Sequence, residues 1–262
     1  MKLNKLFTLA LGATLAAGSL ASCGNSKDEL VMVTEASFEP FESLDEDGNF
    51  VGIDIEIAKA FAESQGKELK INNIEFDAIL PAIQTGKADF AAAGMTVTET
   101  RKQTVDFTDT YYSASQVVIV KKNSSYASMT TKDEIETALN QSGITIGCQS
   151  GTTGNSYIVG DEDLEFAGLT NAECQAFTTG YLACQSLSNG QIDAIIIDNE
   201  PAKLYLKNYS DLMILPVTLT EEDYAMAVQK GNTELLEKLN AFIKDIKENG
   251  KLKEIIDANL GA

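Results

Sequence analysis

The sequence predicts an α/β protein made of two units of similar size. Short apolar segments typical of strands alternate with segments whose apolar residues recur at helical spacing, which implies mostly parallel sheets covered on both faces. The alternation begins again after about residue 115, so two rounds are expected. The chain has 262 residues, of which 44% are hydrophobic and 23% charged, enough to bury a sizeable core.

The first unit opens with an apolar strand at residues 30–34. A helix is expected at 53–65, because its apolar residues recur at helical spacing and Gly66 is a typical helix stop. The remaining elements of this unit are a strand at 69–76, a helix at 78–85 and a strand at 90–93.

The second unit shows the same alternation. Thr131 and Glu134 have the spacing of a capping box, which predicts a helix at 131–140. A strongly amphipathic segment at 233–249 predicts a longer helix that Gly250 ends. The other expected elements are strands at 116–120, 144–148, 174–177 and 193–197, and helices at 179–188 and 252–260.

The composition excludes several function classes. A net charge of −19 argues against binding to nucleic acid or to anionic lipid, since both require a basic surface. The chain has no His, which rules out Ser-His-Asp triads, Cys-His dyads and the usual imidazole zinc sites. It also has no CxxC spacing, which argues against a zinc or redox site of that kind. We therefore expect no metal and no cofactor.

The N-terminus predicts export. Lys2 and Lys5 precede an apolar run at 6–20 that is too short for a confident transmembrane span, as in a secretory signal. The run ends Leu-Ala-Ser-Cys, which resembles a bacterial lipobox with Cys23 as the lipidated residue. An ordinary signal peptide followed by a chance cysteine is the alternative. We expect a lipoprotein signal peptide at 1–22, a tether at 23–29, and an exported protein held to the membrane by lipid.

Three further cysteines, Cys148, Cys174 and Cys184, leave two alternatives open. In an oxidising compartment one pair could form a disulfide and leave the third thiol free. In a reducing setting all three could be small buried hydrophobic residues.

Arg101 is the only arginine of the chain, and its surroundings suggest an anion site. A strand that ends in small residues is followed by Gly94 and Thr96, and Thr98 can cap a short helix that carries Arg101. Small residues, a hydroxyl and a guanidinium can together bind a carboxylate or a phosphate. The alternative is that Arg101 is an ordinary surface residue of a helix.

Residues 89–112, which include Arg101, resemble extracellular solute-binding proteins of the amino-acid-binding type, which serve ATP-driven importers. The resemblance covers about residues 30–260. Further matching segments lie, in the same order, at 35–42, 48–58, 151–153 and 193–198.

The resemblance implies a two-lobed periplasmic-binding-protein fold of type II, with two hinge strands and a ligand cleft between the lobes. The first lobe would comprise 30–113 plus 222–262, and the second 114–221. Hinges would lie near 112–117 and 218–225. The C-terminal helices would then return to the first lobe, so the two units would not simply follow each other along the chain. A monomer is expected.

The resemblance also assigns a site for an α-amino acid. Arg101 would pair with the α-carboxylate, Gly94 and Thr96 would bind through backbone and hydroxyl, and Asp198 would take the α-ammonium. Without the resemblance, Asp198 could equally be a turn residue after a buried strand. The loop that would complete the carboxylate site contains Thr152 and Thr153.

The pocket for the ligand side chain is expected to contain an acid, an amide and two aromatic faces. Glu35 would lie near the ligand side chain or its amine, and Gln149 would face the side chain. Phe38 and Phe76 would form aromatic walls, although either Phe alone could be a core residue. These groups favour a polar or cationic side chain, which the aromatic faces would attract further if it is cationic.

The function expected from the resemblance is that of a substrate-binding lipoprotein of an ABC transporter. It would hand a polar or cationic amino acid to a permease driven by ATPase subunits, and would not be an enzyme. One alternative is a cyclohexadienyl or arogenate dehydratase on the same fold, with Glu35 as general acid. A second is a sensory domain that reports the ligand to a receptor.

Overall fold

The chain folds into two α/β lobes, each built on a five-stranded sheet with helices on both faces. The computed structural model describes residues 29–261. The predicted signal peptide at 1–22, Cys23 and the tether up to residue 28 lie outside the described residues. Within residues 29–261, no helix has both the length and the apolar character needed to cross a bilayer.

The elements that precede the second lobe begin with a strand and a small antiparallel sheet. They are, in chain order, β1 (Glu29–Thr34), β2 (Ser37–Phe38), β3 (Glu42–Leu44), β4 (Phe50–Val51), α1 (Ile53–Ser64), β5 (Glu68–Asn73), α2 (Phe76–Gln84), β6 (Phe90–Ala91), α3 (Glu99–Lys102), β7 (Val105–Phe107) and β8 (Tyr112–Ala114).

The second lobe and the return to the first complete the chain. These elements are β9 (Gln116–Lys121), α4 (Lys132–Leu139), β10 (Thr145–Gln149), α5 (Thr153–Val159), β11 (Glu173–Phe177), α6 (Gly180–Ser188), β12 (Ala194–Asp198), α7 (Asn199–Tyr205), a 3-10 turn (Leu206–Asn208), β13 (Leu212–Thr218), β14 (Glu222–Tyr224), β15 (Ala227–Gln229), α8 (Thr233–Glu248) and α9 (Lys251–Leu260).

The two sheets share one topology. The first has the order β5-β1-β6-β15-β7 and the second the order β11-β10-β12-β9-β13. In each sheet, three parallel strands are followed by one antiparallel strand. This antiparallel strand is β15 in the first sheet and β9 in the second. The strand order reverses beside β1 and beside β10, and ligands of such sheets bind at the carboxyl ends of strands at this reversal.

Two strands carry the chain between the lobes. β8 leaves the first lobe, β14 returns to it, and the two pair antiparallel. β15 then enters the first sheet between β6 and β7, and α8 and α9 pack on the same lobe against Phe61. The two-lobed fold implied by the resemblance is thus confirmed, and two simply consecutive units are excluded. The exact lobe boundaries, 30–113 plus 222–262 and 114–221, stay a prediction.

Most predicted elements are present, with shifts at their ends. The capping box of α4 forms as expected, since Thr131 accepts from the backbone of Glu134 and the Glu134 side chain caps in return. The strand predicted at 69–76 ends earlier, at Asn73, because Phe76 already opens α2. The strand predicted at 90–93 covers only two residues. The helices α5 and α7, each of seven residues, are too short for apolar periodicity to predict.

Candidate functional site

A small cavity lies between the two lobes. All ten residues that the sequence analysis selected line it, together with two that it did not select, Glu42 and Ala93. The full lining is Glu35, Phe38, Glu42, Phe76, Ala93, Gly94, Thr96, Arg101, Gln149, Thr152, Thr153 and Asp198.

The cavity lies where four parallel strands end. Glu35 follows β1, the Ala93–Gly94 turn follows β6, Gln149 is the last residue of β10, and Asp198 is the last residue of β12. These strands flank the reversal of strand order in each sheet, so the sheet topology itself brings the four loops together.

Arg101 spans the cleft from α3. Its backbone N–H donates to the Thr98 hydroxyl, 3.1 Å away, which caps the helix as predicted. The guanidinium donates from Nη1 to the Thr96 carbonyl at 2.7 Å and from Nη2 to the Gly151 carbonyl of the other lobe at 2.9 Å. Its carbon lies 5.5 Å from the centre of the Phe76 ring. Two of its five N–H donors are therefore used and three remain for an anion.

Burial and the neighbouring acids act on Arg101 in opposite directions. Burial lowers the pKa of the guanidinium, whereas Glu222 and Asp198 raise it. The guanidinium remains charged because an arginine pKa starts above 12. A fixed positive charge therefore stands at one end of the cavity.

Gly94 brings backbone close to the cavity. Its N–H donates to Oδ2 of the fully buried Asp54 at 2.8 Å, and its φ of +51° lies in the left-handed region. A Cβ at this position would lie 2.8 Å from the Phe38 ring, closer than real Cβ atoms approach. Glycine is thus needed both for the backbone conformation and for the contact with the aromatic wall.

The Thr96 hydroxyl is already committed as a donor. Its Oγ1 donates to Oε2 of Glu222 at 2.7 Å, and Thr220 donates to the other oxygen of the same carboxylate. Only the lone pairs of Oγ1 remain available, so Thr96 can accept a hydrogen bond from a ligand but not donate one. This side of the cavity therefore suits an N–H donor.

Asp198 is 5% exposed and accepts a hydrogen bond from the Tyr224 hydroxyl. Burial, followed by the negative charge of Glu222, raises the pKa of Asp198 to about 7. The hydrogen bond from Tyr224 only partly opposes this rise. A cation placed beside Asp198 and Thr96 would relieve the repulsion between the two acids.

Glu35 and Gln149 form a second group of hydrogen-bond acceptors in the cavity. Glu35 accepts from the Ser37 hydroxyl at 2.7 Å and from Nε2 of Gln149 at 3.1 Å, and burial raises its pKa. Nε2 of Gln149 also donates to the Thr178 carbonyl at 3.2 Å. Oε1 of Gln149 is buried and has no hydrogen-bond partner among the described residues. An unpaired buried acceptor is costly and is satisfied by a donor from a ligand.

Glu42 was missed by the sequence analysis. It is fully buried, and neither of its carboxyl oxygens has a hydrogen-bond partner among the described residues. Burial first, then the charges of Asp54 and Glu35, raises the pKa of Glu42 well above its ordinary value, which disfavours the charged form. Glu42 belongs to the 35–42 segment that carries the family resemblance, and that segment was the only signal for it.

Thr152 and Thr153 lie at the start of α5. The Thr152 hydroxyl accepts from the Asn155 backbone N–H at 3.4 Å and donates to the Gln149 carbonyl at 2.8 Å, so it is used as a helix cap. The N–H groups of the first helical turn have no partner within the helix. These N–H groups, rather than the Thr152 hydroxyl, are the donors that this loop offers to an anion.

The lobes touch each other around the cavity. Ser150 donates to Asp77 at 3.1 Å, and the Tyr205 hydroxyl donates to the Ser37 carbonyl at 2.7 Å, each across the cleft. Together with the Arg101–Gly151 contact, they describe a closed arrangement of the lobes. Among residues 29–261, no group of three or more acidic or cysteine side chains has the arrangement of a metal site.

The sequence of residues 30–262 matches the family model for bacterial extracellular solute-binding proteins, family 3. The chain is 30% identical over 260 residues to the arginine-binding extracellular protein ArtP of Bacillus subtilis, covering 96% of each chain.

Solved structures of amino-acid-binding proteins have the same fold. A mutant of ArgBP from T. maritima is 34% identical with a TM-score of 0.81, covering 90% of this chain and 97% of that one. An ancestral arginine-binding protein bound to arginine is 36% identical with a TM-score of 0.78, covering 89% and 98%. An ancestral arginine-binding protein bound to glutamine is 35% identical with a TM-score of 0.78, covering 90% of this chain and 99% of that one.

One similar structure is that of an ancestral binding protein described as the precursor of an enzyme. The ancestral amino-acid-binding protein AncCDT-1, a precursor of cyclohexadienyl dehydratase, is 31% identical with a TM-score of 0.78, covering 89% of this chain and 96% of that one.

Proposed function

The chain belongs to the bacterial extracellular solute-binding proteins, family 3, and we propose that it captures an amino acid with a cationic side chain for an ABC importer. It closes its two lobes around the ligand and delivers it to a membrane permease driven by ATPase subunits. Lipid anchoring through Cys23 and action as a monomer are part of the same proposal.

Two separate groups of residues bind the α-carboxylate and the α-ammonium of the ligand. The three free donors of Arg101 and the N–H groups at the start of α5 take the carboxylate. Asp198 and the lone pairs of Thr96 take the ammonium. Both charges of the zwitterion are then paired, which compensates for the loss of water on closure.

The acceptors Glu35 and Gln149 are the observation that favours a ligand with a cationic side chain. Three carboxyl groups line the cavity, against one guanidinium. The raised pKa of Glu42 disfavours its charged form, and the ligand's ammonium compensates Asp198. Within the described part of the chain, Glu35 then has no positive partner and the adjacent Oε1 of Gln149 has no donor. A guanidinium or ammonium side chain supplies both a charge and N–H donors at this point.

A neutral amide side chain is the second candidate. Burial raises the pKa of Glu35, and a protonated Glu35 could share hydrogen bonds with an amide. Binding of glutamine by the ancestral arginine-binding protein supports this possibility. The two candidates differ in one quantity, the contribution of the side chain's positive charge to the binding free energy.

Arginine and citrulline together measure that quantity. Citrulline replaces the guanidinium with a neutral group of similar shape, so wild-type protein should prefer arginine by roughly 1.5–3 kcal/mol, the range for charged hydrogen bonds. Glu35→Gln should remove most of this preference. Isothermal titration calorimetry with both ligands on both proteins gives the coupling energy.

The matched control is Glu39→Gln, which removes a carboxylate from the same segment but does not line the cavity. It should leave the preference for arginine intact. Equal affinities of wild-type protein for arginine and citrulline would contradict the cationic proposal. Failure of every amino acid in a thermal-shift panel would contradict amino-acid capture itself.

Affinity should fall as the pH falls below about 7. The pKa of Asp198 is raised to about 7, and only its ionised form attracts an ammonium, so protons compete with the ligand below this pH. The loss should approach about tenfold per pH unit for one such group. Asp198→Asn should flatten the profile, because its side chain does not titrate in this range. Calorimetry between pH 5 and pH 8, roughly the range in which such shifts act, makes the comparison.

The dehydratase alternative has a direct test. Such an enzyme needs a general acid in the cleft, and Glu35 with its raised pKa has the required chemistry. The Arg101 and Asp198 pair instead matches what amino-acid capture requires. Product formation on incubation with prephenate or arogenate would favour the enzyme, and its absence together with tight amino-acid binding would favour the binding protein.

A further inference from the structure

Two cysteines that are far apart in sequence lie in contact in the second lobe. Cys148 on β10 and Cys174 on β11 have their Sγ atoms 3.6 Å apart. The strands are parallel, and their register places Cys174 opposite Ile146, so the two thiols form a diagonal pair on one face of the sheet. Cys184 lies on α6, in the core on the other face. The odd cysteine is thereby separated from the pair.

The two thiols of the pair have different surroundings. Cys148 is fully buried, whereas Cys174 is half-buried on β11, the edge strand of its sheet. Nδ2 of Asn155 on α5 donates to Sγ of Cys174 at 3.3 Å. The sulfur of Cys174 can thus accept two hydrogen bonds, one from Asn155 and one from the Cys148 thiol. Both favour a thiolate at Cys174 and keep the proton on Cys148.

The direction of the pKa shifts agrees with this geometry. The hydrogen bond from Cys148 lowers the pKa of the Cys174 thiol, while the same contact and burial raise the pKa of Cys148. Thiols that react with disulfides are those with a lowered pKa and solvent access. Cys174 has both properties.

We propose that Cys174 and Cys148 form a thiol–disulfide exchange site, in which Cys174 attacks a low-molecular-weight disulfide and Cys148 resolves the product. The Cys174 thiolate attacks one sulfur of the disulfide RSSR, forms a mixed disulfide and releases RS⁻. Cys148 then loses its proton to solvent and attacks Sγ of Cys174, which expels the second RS⁻. The pair ends as one intramolecular disulfide, and the co-reactant is reduced to two thiols.

The closed disulfide should be easy to reduce. Strands lie about 4.8 Å apart and rise about 3.3 Å per residue, so residues offset by two positions have Cα atoms roughly 8 Å apart. This exceeds the usual upper limit of about 6.8 Å for a disulfide. β11 must therefore move toward β10, and as an edge strand it has no further strand on its outer side. A bond that requires such a shift is more readily reduced than a purely structural disulfide.

The test uses oxidised glutathione on the full chain, previously reduced and freed of reductant. Alkylation, digestion and mass spectrometry should find the Cys148–Cys174 cross-link, with Cys184 free to be alkylated after unfolding. The rate of Cys174 modification should rise with pH around a midpoint below that of an ordinary thiol. A midpoint of an ordinary thiol, near 8.5, would contradict the assigned surroundings of Cys174.

Three variants separate the roles of the thiols. Cys148→Ser should accumulate a stable glutathione adduct on Cys174, because nothing resolves it. Cys174→Ser should remain unmodified at Cys148, since that thiol is buried. Cys184→Ser is the matched control and should oxidise like wild-type protein. A lasting glutathione adduct on wild-type Cys174, a cross-link that involves Cys184, or no reaction at all would each overturn the proposal.

Discussion

Replacing Asp198 with asparagine should weaken the binding of an amino acid by roughly 3–5 kcal/mol, the usual cost of removing one partner from a buried charge pair. The carboxylate is almost fully buried, and the Tyr224 hydroxyl holds it in place. Asparagine keeps an oxygen that can accept from Tyr224, so the substitution removes mainly the charge. Affinity should fall at least about a hundredfold.

A des-amino analogue of the ligand isolates the contact. Because it lacks the α-ammonium, Asp198→Asn should cost it much less, and the two proteins with the two ligands form a double-mutant cycle. Glu221→Gln is the matched control, since Glu221 is exposed and does not line the cavity. A coupling energy near zero would show that Asp198 does not contact the ammonium.

Arg101→Lys should cost roughly 1.5–3 kcal/mol of binding free energy, although the charge is retained. The guanidinium already donates to a carbonyl of each lobe, Thr96 on one side and Gly151 on the other, before any ligand is counted. A lysine ammonium has three donors in all and no planar fork. It cannot keep both contacts and also hold a carboxylate bidentately.

Two measurements make the Arg101 prediction sharp. Calorimetry gives the affinity, and small-angle scattering with and without ligand shows whether closure is weakened along with it. Lys102→Ala removes a neighbouring positive charge that forms a surface ion pair with Glu99, so it should change affinity little. Unchanged binding by Arg101→Ala would mean that another group anchors the carboxylate.

Local sequence signals predicted the elements that depend on nearby residues. The caps at Thr98 and Thr131 form as expected, because a cap needs only a hydroxyl and a backbone N–H three residues on. The return of the chain to the first lobe could not be predicted from periodicity. β15 is a three-residue strand that pairs with strands more than a hundred residues earlier, and only the family resemblance implied its place.

The candidate site was predictable in its members but not in its hydrogen bonds. Phe38 shows why, since it both belongs to the first lobe's core and lines the cavity, so its two interpretations are compatible. The sequence did not indicate that the Thr96 proton is committed to Glu222, or that Glu42 is buried beside the cavity. Nor did it indicate that Cys148 and Cys174 touch, because that contact depends on the pairing of two strands.

The position of β15 dictates the order in which the lobes can be completed as the chain emerges. All five strands of the second sheet lie between residues 116 and 218, so that lobe has every strand it needs before the C-terminal part arrives. In the first sheet, β6 and β7 stay separated until Ala227–Gln229 is inserted between them. Unpaired strand edges promote aggregation. A chain that ends before β15 should therefore keep a folded second lobe while the edges of β6 and β7 in the first lobe stay unpaired. The nascent protein is most prone to aggregation between completion of the second lobe and synthesis of β15.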